Sequence, residues 1–164
     1  MNSLKAQDSF SFEAHETYLS PHLDRIVIGQ AKIKNPVSFG LSDGLIFSKI
    51  EIDFKSPIRW KGRWNIKRAH FTIERLNIVK KASGDNLDEL GILIKAWDAP
   101  KKPIHPFLAD EVNIILREIA FIDPNSLDKA TVAQVNLQIT DHYLDSYTKI
   151  YDSLMKLIAA IGKL

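Results

Sequence analysis

The sequence contains no cysteine among its 164 residues. Disulfide frameworks, thiolate metal sites and a cysteine nucleophile are therefore excluded. No uninterrupted apolar run reaches the roughly 20 residues that a membrane-spanning helix needs. The 7 glycines are scattered and never form G-x-G or G-x-x-x-x-G-K, so we expect no glycine-rich phosphate-binding loop. Residues 1–12 lack the apolar core of a signal peptide and are predicted to form a flexible tail.

The chain also lacks a large net charge of either sign. Its 22 basic and 20 acidic residues leave a formal charge of +2, so binding to a nucleic acid or a membrane must depend on local patches. Hydrophobic residues make up 45% and charged residues 26%, which is typical of soluble globular chains. The length favours a single domain over residues 1–164.

Alternation of apolar and polar residues predicts most of the secondary structure. One side of a half-buried strand is apolar, so a period of two indicates strands. The segments with this pattern or with strand-like composition are 26–33, 44–55, 58–67, 69–79, 112–122 and 133–140. Gly62 interrupts one of them and is either a bulge or the tip of a tight turn. About five to seven strands with few helices predict an α+β fold built on a mostly antiparallel sheet.

Two helices are predicted. Asn86 follows turn residues and is expected to cap a short helix, after which Pro100, Pro103 and Pro106 indicate a loop. The C-terminal segment 142–162 has the period of an amphipathic helix. Its apolar stripe is expected to pack on the parent sheet, with a partner protein or a membrane as the alternatives. The stripe consists of Leu144, Tyr147, Tyr151, Leu154, Ile158 and Ile161.

Candidate catalytic and metal-binding residues are few. The 5 histidines never fall three or four residues apart, so no metal site is expected, and no cofactor either. Asp141 and His142 could form the acid/base pair of a small hydrolase or isomerase. The aspartate, however, has a sufficient role as a cap at the start of the predicted helix. We therefore predict that the chain is not an enzyme.

A basic segment with tryptophans is the most unusual local feature. No acidic residue occurs in residues 55–68, and Trp60 and Trp64 lie among the cations. The cations are Lys55, Arg59, Lys61, Arg63, Lys67 and Arg68. The segment is either a strand that buries both tryptophans and solvates its charges, or a contact surface for an anionic membrane or a partner. Nucleic-acid phosphates would satisfy the same charges, but they are the less favoured partner.

The order of several short motifs resembles AsmA-like proteins of the bacterial envelope. Tyr18-Leu19-Ser20-Pro21 precedes a predicted strand, as a "slsP" segment does in that family. Asn35-Pro36-Val37-Ser38-Phe39 is similar to the family's "NP-x-x-F" turn, and Ile52-Asp53-Phe54-Lys55-Ser56 to its "v-D-l-x-S-l" strand end. The segment 84–90 (GDNLDEL) is similar to its "G-x-N-L-x-x-L" helix cap.

This resemblance implies a curved antiparallel sheet with an apolar concave face. It further implies a non-enzymatic, membrane-associated protein of the periplasm that binds lipid or serves as an accessory subunit of a larger membrane protein complex. The family normally begins with a membrane anchor, and the expectation is that a leader was removed or omitted here, with a cytoplasmic location as the alternative. The segment 32–39 (KIKNPVSF) also resembles the start of the water-stress (late-embryogenesis type 2) β-sandwich, a binding module, but that family does not account for the two helices.

Overall fold

Seven strands, two α-helices and a short 3-10 turn make up the described part of the chain. The computed structural model describes residues 9–40, 43–98, 106–123 and 125–162, without the side chains of 126–129. The strands are β1 (Ser11–Leu19), β2 (Arg25–Lys34), β3 (Asp43–Trp60), β4 (Arg63–Lys81), β5 (Gly84–Asp85), β6 (Phe107–Asp123) and β7 (Ser126–Leu144). The helices are α1 (Asn86–Asp98) and α2 (Tyr147–Ile161), and the 3-10 turn is Val37–Phe39. The predicted α+β class is confirmed.

The strands form one open sheet in the order β1-β2-β3-β4-β6-β7, with β5 paired to β4. Every neighbouring pair is antiparallel except β4 and β6, which are parallel and connected through β5 and α1. The predicted mostly antiparallel sheet is therefore confirmed, while the parallel pair was not anticipated. Alternation along one strand identifies its faces but carries no information about its partner.

The backbone conformation at the tip of the β3–β4 hairpin shows whether Gly62 is a bulge or a turn residue. Lys61 and Gly62 have φ values of 50° and 82°. Positive φ at both central residues is typical of the type I′ turn that connects paired strands without splaying them. Gly62 therefore lies in a tight turn, and Trp60 pairs directly with Arg63 across it.

A bulge lies in β4, opposite the first half of β3. Ile46 pairs with Arg75 and the next residue, Phe47, pairs with Ile73, so Glu74 has no register partner. Such an extra residue bends its strand and increases the local twist. Further register shifts occur in the β2–β3 and β6–β7 pairs, in keeping with a curved sheet.

The two faces of the sheet differ in chemistry. The inner face, which α1 and α2 partly cover, carries the apolar core, including the fully buried Leu76 and Leu116. The outer face carries ion pairs between neighbouring strands, such as Arg75 with Glu118 at 2.9 Å. Hydrogen bonding by Arg75 and then by Gln134 holds the pKa of Glu118 below its usual range. These pairs are accessible to solvent, so each adds little to the stability of the fold.

The start of α1 corrects the predicted cap. Asp85, not Asn86, caps the helix: its carboxylate accepts a hydrogen bond from Asp88 N at 2.9 Å. The Asn86 side chain turns toward the sheet instead. It accepts from Val79 N at 2.9 Å and donates to Asn77 O at 2.8 Å. The loop predicted around Pro100 and Pro103 lies outside the described residues.

The C-terminal helix begins later than predicted. Residues 142–144 belong to β7, and α2 starts at Tyr147 with Ser146 as its cap, accepting from Lys149 N at 3.2 Å. Asp141 is therefore not the helix cap. Ser11 and Phe12, predicted as tail, begin β1, whereas residues 1–8 of that predicted tail lie outside the described residues.

The apolar stripe predicted for this helix packs on its own sheet and on α1. Leu154 is buried, and Ile158 and Ile161 pack against the same core cluster. Leu144 also contacts that core, but from the end of β7. The stripe therefore packs on the parent sheet, as expected. Tyr147 and Tyr151 face the region between α2 and the sheet, which is described next.

Candidate functional site: an apolar cavity and its mouth

A cavity of about 720 Å³ lies between the inner face of the sheet and the two helices. Its walls come from β1–β4, β6, α1 and α2, and every lining side chain in the described part of the chain is apolar or aromatic. Representative members are Ile50, Ile52, Phe71, Ile94 and Leu154. The volume is within the range of about 300–1,000 Å³ that small-molecule sites occupy.

Strand alternation and small side chains together create this space. Ile50, Ile52 and Phe54 point inward from β3, while the residues between them point to the outer face. Ala69 of β4 and Ala109 of β6 are the smallest lining residues, and both are buried. An alanine between larger side chains leaves room above the sheet that the helices do not fill. The space is part of the fold, since its walls are strands and helices.

The mouth of the cavity lies at the β3–β4 hairpin end of the sheet. We use "mouth" for the lining residues at this end that remain exposed, namely Leu19, Leu23, Trp64, Trp97 and Tyr147. They come from the end of β1, the β1–β2 connection, β4, α1 and α2, which the fold brings to one end. Trp64 is 43% exposed and Trp97 is 60% exposed.

Ring contacts hold the mouth together. Trp64 packs on Phe54 with ring centroids 5.8 Å apart, and it pairs in register with Phe107 of β6. Tyr147 lies edge-on to Phe107 at 5.2 Å and to Trp97 at 6.2 Å. Aromatic pairs of this kind add about 0.5–1.5 kcal/mol beyond their buried area. The exposed aromatic side chains are therefore positioned by their neighbours.

The predicted basic segment divides into two groups. Lys55 and Arg68 lie on the outer face in ion pairs, with Asp110 at 2.9 Å and Glu111 at 3.3 Å. Within the described chain, the other four cations form no ion pair. They are Arg59, Lys61, Arg63 and Lys67.

Three of these cations surround the hairpin turn, and we call Arg59, Lys61 and Arg63 the basic tip. The Arg59 guanidinium lies 4.9 Å from the Trp64 ring centroid. Trp60, which lies between Arg59 and Lys61 in the sequence, is 53% exposed. The interpretation that both tryptophans are buried is therefore wrong: Trp60 is exposed at the turn, and Trp64 forms part of the mouth.

Tyr151 of α2 contacts α1. Its hydroxyl donates to Leu87 O at 2.6 Å, and its ring lies against Gly91, where a Cβ would come within 3.0 Å of the ring. Burial raises the pKa of Tyr151 to about 12. The tyrosine thus lines the cavity in its protonated form and anchors α2 to α1.

This pKa predicts a loss of stability in alkali. An unfolded tyrosine ionises near pH 10.0, so between about pH 10 and 12 the folded state retains a proton that the unfolded state loses. Stability contributed by Tyr151 is therefore complete below pH 10 and falls as the pH rises toward 12. In urea unfolding, a Tyr151→Phe variant should lose less stability over this interval than wild type. Parallel pH curves for the two proteins would contradict the assignment.

Asp141 and His142 do not form a catalytic pair. They are consecutive residues of β7, so their side chains point to opposite faces. Asp141 faces α2, where it accepts a hydrogen bond from the Ser153 hydroxyl. His142 is exposed on the outer face, in register with Glu111. Among the described residues there is also no group of three or more His, Asp or Glu that could hold a metal ion.

Several mouth residues were missed at the sequence level. Leu19 and Leu23 are far from Trp97 in the chain, and only the sheet and α1 bring them to the same end of the cavity. The one available signal was Trp97, a large aromatic residue near the end of a short helix. That signal alone does not indicate a shared site.

Neither α1 nor α2, the helices of the described part of the chain, is long and apolar enough to cross a bilayer. Comparison with protein-family models, with curated proteins and with solved structures finds no match to this chain.

Proposed function

We propose that the protein is a non-enzymatic, membrane-associated lipid-binding protein that holds an acyl chain in its cavity. The observation that carries this proposal is the cavity of about 720 Å³, whose lining residues, among those that the structure describes, are all apolar or aromatic. An acyl chain fits such walls because it brings no polar group that would need a hydrogen-bond partner. Each buried methylene contributes about 0.8 kcal/mol.

The chemistry of the walls argues against a polar substrate. Enzyme sites are largely apolar too, but they contain a few convergent polar or ionisable groups that orient and activate the substrate. Here the described lining side chains offer only the polar atoms of tyrosines and tryptophans, and the Tyr151 hydroxyl is already hydrogen-bonded to Leu87 O. The pair Asp141 and His142 is divided between two faces. The site therefore suits binding better than catalysis.

The resemblance to AsmA-like envelope proteins supports the same function. It also suggests a periplasmic, membrane-associated location, which we include in the proposal. The accessory-subunit alternative from that resemblance would place an apolar segment of another protein in the cavity. Lipid is favoured because the cavity opens beside cations that form no ion pair with any described residue, and these suit a phosphate headgroup at the end of an acyl chain.

Binding of a fluorescent fatty acid tests this proposal. Delipidated protein is titrated with cis-parinaric acid, and lipid extracted from freshly purified protein is identified by mass spectrometry. We expect saturable one-to-one binding with a Kd on the order of 1 µM, because burying about ten methylenes supplies the required free energy. Unlabelled fatty acid should displace the probe. The proposal is wrong if no saturable binding is seen and no lipid is extracted.

A further inference from the structure

We infer that the protein docks end-on to an anionic phospholipid bilayer, with the basic tip and Trp60 in the interface and the mouth facing the lipid. This inference deepens the proposed function and rests on it, since the bilayer would supply the acyl chain. Its basis is the position of two unusual features at one end of the sheet: unpaired cations and exposed aromatic residues that open into the cavity.

The charges of the hairpin suit an anionic surface. Arg59, Lys61 and Arg63 lie within five consecutive residues around a tight turn. None of them forms an ion pair with a described residue, whereas Arg68, further along β4, is paired with Glu111 at 3.3 Å. Each basic side chain near an anionic membrane strengthens binding about fivefold. The tip thus concentrates positive charge although the whole chain carries only +2.

The aromatic side chains suit the headgroup region of the same surface. All 3 tryptophans of the chain, Trp60, Trp64 and Trp97, lie at this end, and all are exposed by 43% or more. Tryptophan favours the membrane interface because its ring is apolar and its N–H is polar. Trp64 and Trp97 also line the cavity, so apolar surface continues from the mouth to the interior.

Because the basic tip adjoins the mouth, docking of the tip also sets the orientation of the mouth relative to the bilayer. With the basic tip on lipid phosphates, Leu19, Leu23 and Tyr147 lie at the same end of the sheet and face the bilayer. An acyl chain could then enter the cavity without crossing water, and its headgroup would remain beside Arg59. A nucleic acid or an acidic protein would satisfy the cations, but it would not require an apolar passage next to them.

Vesicle sedimentation and tryptophan fluorescence test the docking. Vesicles of phosphatidylcholine are compared with vesicles that also contain phosphatidylglycerol. We expect wild type to bind only the anionic vesicles, with a blue shift of its emission, and to bind less as ionic strength rises. Because all tryptophans lie at the mouth end, the blue shift reports on that end alone. Trp60→Ala should weaken binding and reduce the shift.

A charge-matched pair of variants locates the surface. The tip variant is Arg59→Gln/Lys61→Gln/Arg63→Gln, and the control is Lys34→Gln/Lys80→Gln/Lys81→Gln at the opposite end of the sheet. Both lose the same charge. The tip variant should bind anionic vesicles roughly 100-fold more weakly, while the control stays near wild type. The control should bind cis-parinaric acid in solution as wild type does, and circular dichroism with urea unfolding shows that both variants are folded.

The possible outcomes separate this inference from the proposed function. Equal losses in the two variants, or tighter binding of single-stranded RNA than of anionic vesicles at the same salt, would overturn the docking surface. If wild type binds cis-parinaric acid but no vesicles, docking is wrong and the lipid-binding function stands. If it binds vesicles through the tip but takes up no fatty acid, the docking surface stands and the proposed function fails.

Discussion

Replacing Ile52 with tryptophan is expected to weaken fatty-acid binding by at least about 100-fold. Ile52 lines the cavity from the middle of β3 and pairs with the small, buried Ala69 of β4. A larger ring there extends over Ala69 into the space proposed for the acyl chain. The displaced chain would lose contacts with several methylenes, each contributing about 0.8 kcal/mol. The measurement is titration of the variant with cis-parinaric acid.

A matched control tests whether the effect belongs to the cavity. Ile115 of β6 is half-buried on the outer face, in register with Thr72 and Gln138, and it does not line the cavity. Ile115→Trp adds the same volume there and should leave the affinity unchanged. Both variants are expected to fold, since added volume in a packed site costs about 1–3 kcal/mol and Ile52 borders open space. Wild-type affinity in Ile52→Trp would contradict an acyl-chain site in this cavity.

Replacing Asn86 with alanine is expected to cost about 3–5 kcal/mol of stability. This side chain is 1% exposed and connects three groups. It accepts from Val79 N at 2.9 Å, and it donates to Asn77 O at 2.8 Å and to Asn35 Oδ1 at 2.9 Å. Alanine would remove these bonds and leave a cavity where the side chain was. Urea unfolding followed by circular dichroism measures the loss.

Two further variants define the origin of this loss. Asn125→Ala changes an exposed asparagine and should alter stability by no more than about 0.5 kcal/mol. Asn35→Ala removes one partner of Asn86, so its effect and that of Asn86→Ala should be non-additive in the double variant. A loss below about 1 kcal/mol in Asn86→Ala would show that the buried bonds contribute little.

Local patterns predicted the elements whose side chains alternate strongly. The segments that became β2, β3, β4, β6 and β7 were recognised because one face is apolar and the other is solvated or charged. β1 was missed, since most of its residues are exposed on this edge strand and give almost no alternation. The caps of both helices were also misplaced, because several neighbouring polar residues could accept from the first amides, and only the backbone path selects Asp85 and Ser146.

The candidate site was predicted in part. The basic segment with Trp60 and Trp64 was singled out, but Arg68, which was assigned to the contact surface, forms an ion pair across the outer face, as does Lys55 of the same segment. The pairing depends on β6, whose position beside β4 follows from a parallel crossover that the alternation pattern does not reveal. The mouth was not predicted either, because only the strand order and the two helices bring its residues together.

The sequence by itself determined the α+β class, the apolar stripe of the last helix, the absence of thiol chemistry and the concentration of cations between residues 55 and 68. Each of these is a property of composition or of spacing within one segment. Only the tertiary structure decided that Ala69, Ala109 and the two helices enclose a cavity, and that all three tryptophans lie at the end of the sheet where this cavity has its mouth. A cavity exists where side chains from distant segments fail to fill the space between them, and that depends on strand order and register.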